Sequence, residues 1–313
     1  MPKTKELLSF QYDNFKIEIP VVTLRGEGGD GPTAAITAGI HGCEYTGIFS
    51  LLKLASELDL KKLKGTLKLI TIASLDAFEK RNMFVSPLDG KNPNRYFPGA
   101  QDGTFTNELN FRLMQAIQGA DYYLDLHAGD LVEALVPFTL FHKSGDNEMD
   151  GKALAIAKHY NLPNICSSTT GGKWADDGTT YANVAKAFNI PAVIAEVGGF
   201  GQLDAKAVEI HTEGLFNVFK HMGNIEGTPQ PFIEQTRFND MVWLYTKNKG
   251  FYYNEITIGD EVKKGDRMGT LFNYFGDVVE TLTAPADGRV LFRTTSPAMT
   301  EKGLIAGIGI RGE

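Results

Sequence analysis

The stretch Ala38-Gly39-Ile40-His41-Gly42-Cys43-Glu44-Tyr45-Thr46-Gly47 marks the passage from a strand to a helix. Residues 33–38 before it form an apolar run typical of a buried strand, and apolar residues after it recur at helical spacing. His41 and Glu44 therefore lie at the carboxyl edge of a sheet, where ligands of open α/β folds bind. Residues three apart at a helix start share a face, so this pair supplies two of the three ligands of a His/His/Glu zinc site. The alternative is a polar helix start, in which the helix dipole favours Glu44.

Length and composition narrow the class of protein. A chain of 313 residues with 42% hydrophobic content favours one large domain and a smaller one. No apolar run approaches a membrane span and the amino terminus lacks a signal peptide, so we expect a cytoplasmic protein with no membrane partner. The net charge of −7 is spread without long blocks, which argues against nucleic acid as a partner. Two cysteines cannot make a disulfide framework.

A second histidine ends another predicted strand, Tyr122-Tyr123-Leu124-Asp125-Leu126-His127. A lone histidine at a strand end is more often a structural residue than a ligand, but His41 and Glu44 require a third partner and His127 is the candidate. Strand alternation puts Asp125 on the same face as His127. Asp125 either orients the imidazole or makes a separate polar contact.

Two further motifs carry polar groups that suit a binding or catalytic site. An irregular segment, dense in Asn, Pro, Gly and Asp, extends to about residue 104 and contains Asn94-Arg95. This pair either binds a carboxylate through the guanidinium fork and the amide, or forms a turn with a solvated arginine. Further on, an apolar strand ends in Glu196. A glutamate there is either a general base whose pKa is raised by burial, or the cap of the next helix.

Glycine-rich and proline-rich stretches divide the chain. Gly26-Glu27-Gly28-Gly29-Asp30-Gly31 formally matches a dinucleotide fingerprint, but a strand rather than a helix follows it, so we expect a turn between strands. Residues 223–235 have the composition of a linker. Beyond it the helical period stops and short strands alternate with turns. We therefore expect a catalytic domain over residues 1–225 and a small all-β domain over residues 236–313.

Taken in order, His41-x-x-Glu44, Asn94-Arg95, Asp125-x-His127 and Glu196 resemble the succinylglutamate desuccinylase/aspartoacylase family, zinc hydrolases related to carboxypeptidase A. The resemblance spans nearly the whole chain. It implies an α/β fold in which a mixed sheet is flanked by helices and followed by a small C-terminal β domain. That domain also looks like a biotinyl/lipoyl hammerhead, but no lysine stands at the hairpin where a prosthetic group would attach.

The resemblance also implies roles for individual residues. His41, Glu44 and His127 would hold one Zn²⁺ per subunit, Glu196 would activate the water, and Asn94 with Arg95 would bind a carboxylate of the substrate. In one respect the sequence departs from the family. Members commonly carry an arginine that polarises the scissile carbonyl at the position of Met83, and Arg81 is the candidate to replace it.

The leading hypothesis is a zinc-dependent amidohydrolase that cleaves a non-peptide C–N bond, removing the acyl group from an N-acyl amino acid or a similar small amide with a carboxylate. A zinc carboxypeptidase acting on short peptides has the same site chemistry. A degenerate binding protein of the same fold is the third reading, which the missing arginine keeps open. The sequence does not specify the acyl group, and a homo-oligomer is possible.

Overall fold

The computed structural model describes residues 1–169 and 178–311. The strands in these ranges are β1 (Lys3–Tyr12), β2 (Phe15–Arg25), β3 (Thr33–Ala38), β4 (Thr66–Ile70), β5 (Tyr122–His127), β6 (Glu133–Leu135), β7 (Phe138–Lys143), β8 (Asn164–Thr169), β9 (Ala192–Glu196), β10 (Thr236–Phe238), β11 (Asp240–Tyr245), β12 (Gly250–Asn254), β13 (Glu261–Val262), β14 (Arg267–Phe272), β15 (Val278–Thr283), β16 (Gly288–Thr294), β17 (Ala298–Met299) and β18 (Leu304–Ile310). The helices are α1 (Tyr45–Glu57), α2 (Leu75–Lys80), α3 (Phe105–Ile117), α4 (Asn147–His159), α5 (Thr180–Phe188) and α6 (Ala205–Met222), with a 3₁₀ turn at Pro93–Arg95.

A large mixed sheet forms the body of the protein. Among the described residues it has nine strands in the order β1-β2-β4-β3-β5-β9-β7-β8-β10. The central strands β4, β3, β5 and β9 are mutually parallel, whereas β2 and β7 run antiparallel to their neighbours in that group. Crossover connections put helices on both faces, as parallel strands require. The predicted mixed sheet flanked by helices is confirmed.

Apolar side chains on the two faces of this sheet form two separate cores. One core contains residues of α1, α4 and α6, and the other contains residues of α3 and α5. Strands β3 and β5 contribute to both cores, since alternate residues of a strand point to opposite faces. Every residue of β5 is buried, including its histidine and aspartate. The central strands therefore hold their polar ends rigidly at the edge of the sheet.

The C-terminal residues form two smaller antiparallel sheets, ordered β11-β18-β16-β13 with β6 attached to β16, and β15-β14-β12-β17. The second of these carries the hairpin of β14 and β15, whose turn at residues 273–277 contains no lysine. Strands connect the two parts of the molecule. β10 belongs to the large sheet through β8, while β6 pairs with β16. The division into domains at residues 225 and 236 stays a prediction.

Several local expectations can be compared with the structure. The segment 26–31 is a loop that connects β2 to β3, and a strand rather than a helix follows it, as expected. The segment that leads to residue 104 is less irregular than expected, because it contains α2 and the 3₁₀ turn at Pro93–Arg95. The helix α2 is short, and six residues offer too few turns for a helical period to stand out in the sequence.

Candidate active site

Three neighbouring parallel strands bring the predicted site residues to one edge of the large sheet. β3 ends at Ala38, just before the loop that carries His41 and Glu44. β5 ends at His127 and β9 ends at Glu196, and these two residues are direct partners across the ladder. The carboxyl ends of parallel strands form the usual ligand-binding edge of such sheets. The structure thus brings together residues that lie far apart in sequence.

The loop between β3 and α1 depends on two glycines. Gly39 has a φ of +69°, a conformation that residues with a Cβ rarely adopt. Gly42 lies against α2, where a Cβ would come within 2.2 Å of the backbone nitrogen of Phe78. The loop can therefore pack tightly between the sheet and α2, and this packing fixes the direction in which His41 and Glu44 enter the site.

Glu44 joins the two histidines. Its Oε1 lies 2.6 Å from Nδ1 of His41, and its Oε2 lies 2.8 Å from Nδ1 of His127. Oε2 also accepts a hydrogen bond of 3.1 Å from the backbone N–H of Ala128. The ligand atoms of His41, Glu44 and His127 all lie within 4.8 Å of one another. This group could hold a metal ion.

The opposite nitrogens of the two imidazoles lie near oxygen atoms. Nε2 of His127 lies 3.0 Å from Oδ2 of Asp125, and Nε2 of His41 lies 3.0 Å from Oδ1 of Asn92. The other carboxylate oxygen of Asp125 accepts a 2.6 Å hydrogen bond from the hydroxyl of Thr37. Metal-binding histidines usually direct their second nitrogen at such acceptors, which fix the tautomer and the ring orientation. The donor set and its surroundings therefore fit a metal such as zinc.

Charge interactions within this group oppose the effect of burial. Burial would raise the pKa of the Glu44 carboxyl, but His41 and His127 lower it to about 2. Burial would likewise lower the pKa of His127, but Asp125 and Glu44 raise it well above its ordinary value. Glu44 is thus held as a carboxylate, the form in which it can bind a cation.

Glu196 has a different environment. Its carboxylate accepts no hydrogen bond from any residue in the described ranges 1–169 and 178–311. Loss of bulk solvent raises its pKa to about 8, an effect that His127 opposes and Glu44 and Asp125 reinforce. Glu196 lines a cavity together with the three metal-binding candidates. A carboxylate with a raised pKa and unused lone pairs is suited to accept a proton.

Asn94 and Arg95 line the same cavity from the 3₁₀ turn. Oδ1 of Asn94 accepts hydrogen bonds from the backbone N–H and the hydroxyl of Thr180, at 2.8 and 2.9 Å. The amide NH₂ of Asn94 is therefore the group that can donate to a ligand. Arg95 donates to the backbone oxygen of its neighbour at 2.6 Å and is half-buried. Glu196 lines the same cavity, and the positive charge of Arg95 lowers the pKa of its carboxyl.

Arg81 lies elsewhere. It ends α2 with a φ of +52°, its side chain is exposed, and it is not among the residues that line the cavity. Met83 lines the cavity instead, from the position where an arginine was expected. The role of Arg81 in polarising a carbonyl stays a prediction.

The cavity has a volume of about 680 Å³, and the C-terminal part of the chain forms one of its walls. Lining residues from that part include Trp243, Phe292, Thr294, Met299 and Lys302. Glu133, which the sequence analysis did not single out, also lines the cavity. Its strand, β6, is only three residues long, and it contacts the cavity because it pairs with β16. No local pattern in the sequence signals that pairing.

The fold and the site define an α/β protein with a ligand-sized cavity at the carboxyl edge of its sheet and a group of side chains able to hold a metal ion. The chain belongs to the succinylglutamate desuccinylase/aspartoacylase family, whose catalytic-domain model matches residues 30–222. The resemblance seen in the sequence is confirmed, and members of this family are deacylases. No helix in the described ranges is long and apolar enough to cross a membrane.

Relatives with this fold cover most of the chain. The N-alpha-acetyl-L-2,4-diaminobutyric acid deacetylase of Halomonas elongata is 29% identical over 278 residues, 87% of this chain and 78% of that protein. The product-bound structure of the ectoine utilization protein EutE (DoeB) from Ruegeria pomeroyi has a TM-score of 0.86 at 26% identity, covering 98% of this chain and 95% of that one. The succinylglutamate desuccinylase/aspartoacylase structure from Rhodobacter sphaeroides has a TM-score of 0.83 at 25% identity, with coverage of 98% and 95%.

Proposed function

We propose that this protein is a zinc-dependent deacylase that hydrolyses the amide bond of an N-acyl amino acid or a related small amide bearing a carboxylate. The observation that carries the proposal is the meeting of His41, Glu44 and His127 with Glu196 at one edge of the sheet. Membership of a deacylase family supports the reaction type, and the deacetylase of Halomonas elongata supports an N-acyl amino acid as substrate.

His41, Glu44 and His127 would hold the zinc ion, one per subunit. Two imidazoles and one carboxylate are a usual ligand set for catalytic zinc. Bound zinc would polarise the substrate carbonyl and lower the pKa of a water molecule. Asn92 is hydrogen-bonded to Nε2 of His41, and Asp125 lies 3.0 Å from Nε2 of His127, so both residues are placed to orient the imidazoles.

Glu196 would move the proton. Its carboxylate takes a proton from the attacking water and delivers it to the nitrogen of the leaving amine, so that the C–N bond breaks without releasing an amide anion. A pKa of about 8 makes both steps accessible near neutral pH. The position of Glu196 on β9, directly across from His127, supports this role.

Arg95 and the amide NH₂ of Asn94 would bind the substrate carboxylate. An arginine presents a rigid fork of donors that matches a carboxylate, and it supplies the local positive charge that an anionic substrate needs in a protein with a net charge of −7. Trp243 and Phe292 form part of the cavity wall, and we expect this wall to limit the space beyond the site. Such a limit favours a small amide over a longer peptide.

The test combines metal analysis of the purified protein with a substrate screen. The screen covers N-acetyl, N-succinyl and N-formyl amino acids, includes N-α-acetyl-2,4-diaminobutyrate, and compares them with dipeptides and tripeptides. We expect one zinc per chain, loss of activity with a chelator and turnover of at least one N-acyl amino acid. If only peptides are hydrolysed, the protein is a carboxypeptidase rather than a deacylase. Bound zinc without turnover of any amide would favour the binding protein. Cytoplasmic location and assembly into a homo-oligomer stay predictions from the sequence.

A further inference from the structure

Glu133 is a buried acidic residue that the proposed reaction does not use. Its side chain is only 9% exposed and lines the cavity. The backbone around it is fixed on both sides, because Glu133 pairs with Thr294 of β16 and its carbonyl oxygen accepts a 2.7 Å hydrogen bond from the N–H of Phe200. The carboxylate is therefore presented to the cavity from a rigid support.

The carboxylate of Glu133 is incompletely paired. Its Oε2 accepts a 2.9 Å hydrogen bond from the backbone N–H of Asp130. No lysine, arginine or histidine of the described ranges forms an ion pair with it, and no further hydrogen bond is made by its Oε1. Asp130 provides a contrast, since backbone N–H groups of Phe84 and Leu131 donate to both of its carboxylate oxygens. Both carboxylate oxygens of Asp130 are therefore paired, whereas only Oε2 of Glu133 is.

The groups that act on Glu133 electrostatically are acidic, so its environment favours a positively charged partner. Burial raises the pKa of Glu133 well above its ordinary value, and the neighbouring carboxylates of Glu44, Asp130 and Glu196 raise it further. A carboxyl group buried among like charges either keeps its proton or loses it to gain a cation as a partner. Glu133 does not belong to the group of His41, Glu44 and His127 that could hold the metal. A cation that satisfies Glu133 would therefore be a different one from the metal.

We propose that Glu133 binds a positively charged amine on the substrate and so selects N-acyl amino acids that carry a second, basic nitrogen. This inference rests on the proposed function and names the substrate class of the same site. Arg95 would take the carboxylate and Glu133 the ammonium group, so the cavity would recognise a zwitterionic amide. An ammonium group that donates to Oε1 of Glu133 would complete the hydrogen bonding of the carboxylate and compensate its charge together.

The kinetic test uses pairs of substrates that differ only in charge. N-α-acetyl-L-2,4-diaminobutyrate is compared with N-acetyl-L-norvaline, in which a methyl group replaces the ammonium group, and longer diamino acids are compared in the same way. We expect the wild type to prefer the amine by about one to two orders of magnitude in kcat/KM, the worth of a charge-assisted hydrogen bond. Glu133→Gln should lose most of this preference. Glutamine keeps the shape and can still accept the hydrogen bond from Asp130.

Controls separate the charge of Glu133 from other effects. Glu209→Gln makes the same chemical change on an exposed part of α6 and should keep the wild-type preference. If Glu133→Gln fails to fold, Glu133→Asp decides, because it keeps the charge but withdraws it by one methylene and should reduce the preference. The alternative is that Glu133 keeps its proton and donates a hydrogen bond to the substrate. In that case Glu133→Gln, which can donate through its amide, would retain the preference, and the proposal would be overturned.

A binding measurement keeps this inference separate from the proposed reaction. Calorimetry with free L-2,4-diaminobutyrate, L-ornithine and L-lysine should show binding to the wild type that Glu133→Gln weakens, with L-norvaline as the uncharged probe. If no N-acyl amino acid is hydrolysed but the diamino acids bind through Glu133, the proposed function fails and this inference stands. If amides are hydrolysed with no preference for the amine and the diamino acids bind no better than norvaline, the inference is wrong and the function stands.

Discussion

Replacement of Glu196 by glutamine tests the proposed proton transfer most directly. The amide has nearly the same shape as the carboxylate, but it cannot accept a proton from water. The substitution should disturb little else, because Glu196 makes no hydrogen bond with any other residue in the ranges 1–169 and 178–311. We expect kcat/KM to fall by about 10²- to 10⁴-fold, the usual contribution of general acid–base catalysis, with zinc content unchanged.

Stability provides an independent readout for the same variant. Burial raises the pKa of Glu196 from 4.5 to about 8, so ionisation is harder in the folded chain than in the unfolded chain. The carboxylate therefore lowers the free energy of unfolding as the pH rises above about 4.5, and the destabilisation is complete above about pH 8. Glutamine removes this effect. Metal-free Glu196→Gln should thus melt at the same temperature as wild type near pH 4 and at a higher temperature near pH 8.5.

The assay for Glu196→Gln measures hydrolysis of the best N-acyl amino acid of the screen, together with bound zinc by atomic spectroscopy. Glu209→Gln on the exposed side of α6 controls for the loss of one acidic group. A Glu196→Gln protein that keeps more than half of the wild-type activity would refute the assignment of the base. A variant that loses its zinc would instead place Glu196 among the residues that hold the metal.

Three further predictions concern the metal, the substrate carboxylate and the cavity wall. His127→Ala should bind much less zinc while remaining folded by circular dichroism, because a three-ligand site cannot lose a donor and hold the metal well; stoichiometric zinc in this variant would contradict the ligand assignment. Arg95→Met should lower kcat/KM by about one to two orders of magnitude on a free N-acyl amino acid, and Arg95→Lys should recover part of the loss. If the wild type hydrolyses the acid and its carboxamide at equal rates, the carboxylate is not recognised. Trp243→Ala should gain activity on bulkier amides while its melting temperature falls, since the indole packs on Phe292 at a ring distance of 5.4 Å in the cavity wall. An unchanged substrate range would show that the wall does not limit substrate size.

The parts of the fold that could be predicted are those with local signals. Buried strands of a parallel sheet appear as apolar runs, and a polar residue at the end of such a run stands out against it. His127 and Glu196 could be singled out as candidates in this way, His127 because His41 and Glu44 needed a third partner. The loop with His41 and Glu44 followed from the switch between strand and helix periods. Parallel strands place their carboxyl ends at one edge, so proximity followed from topology.

Other parts of the site depend on long-range pairing and could not be predicted. Glu133 reaches the cavity because β6 pairs with β16, a strand more than a hundred residues further along the chain, and Trp243 belongs to the same small sheet through β11. Arg81 shows a related limit. It lies only two residues from Met83 in sequence and follows α2 with a positive φ, yet it is not among the residues that line the cavity, whereas Met83 is. The position of a loop side chain depends on the backbone dihedral angles around it, and neither composition nor residue spacing specifies these angles.

The exchange of strands between the two parts of the molecule affects how the role of the C-terminal β sheets can be tested. Deleting residues 236–313 would remove β10 from the edge of the large sheet and leave β6 without its partner β16. β6 begins at Glu133, so the same deletion would release the support of a residue that we place in substrate binding. A loss of activity in the truncated chain would then follow from damage to the site as well as from an open cavity. Point substitutions in the wall, such as Trp243→Ala, leave both pairings intact and therefore test access to the cavity by itself.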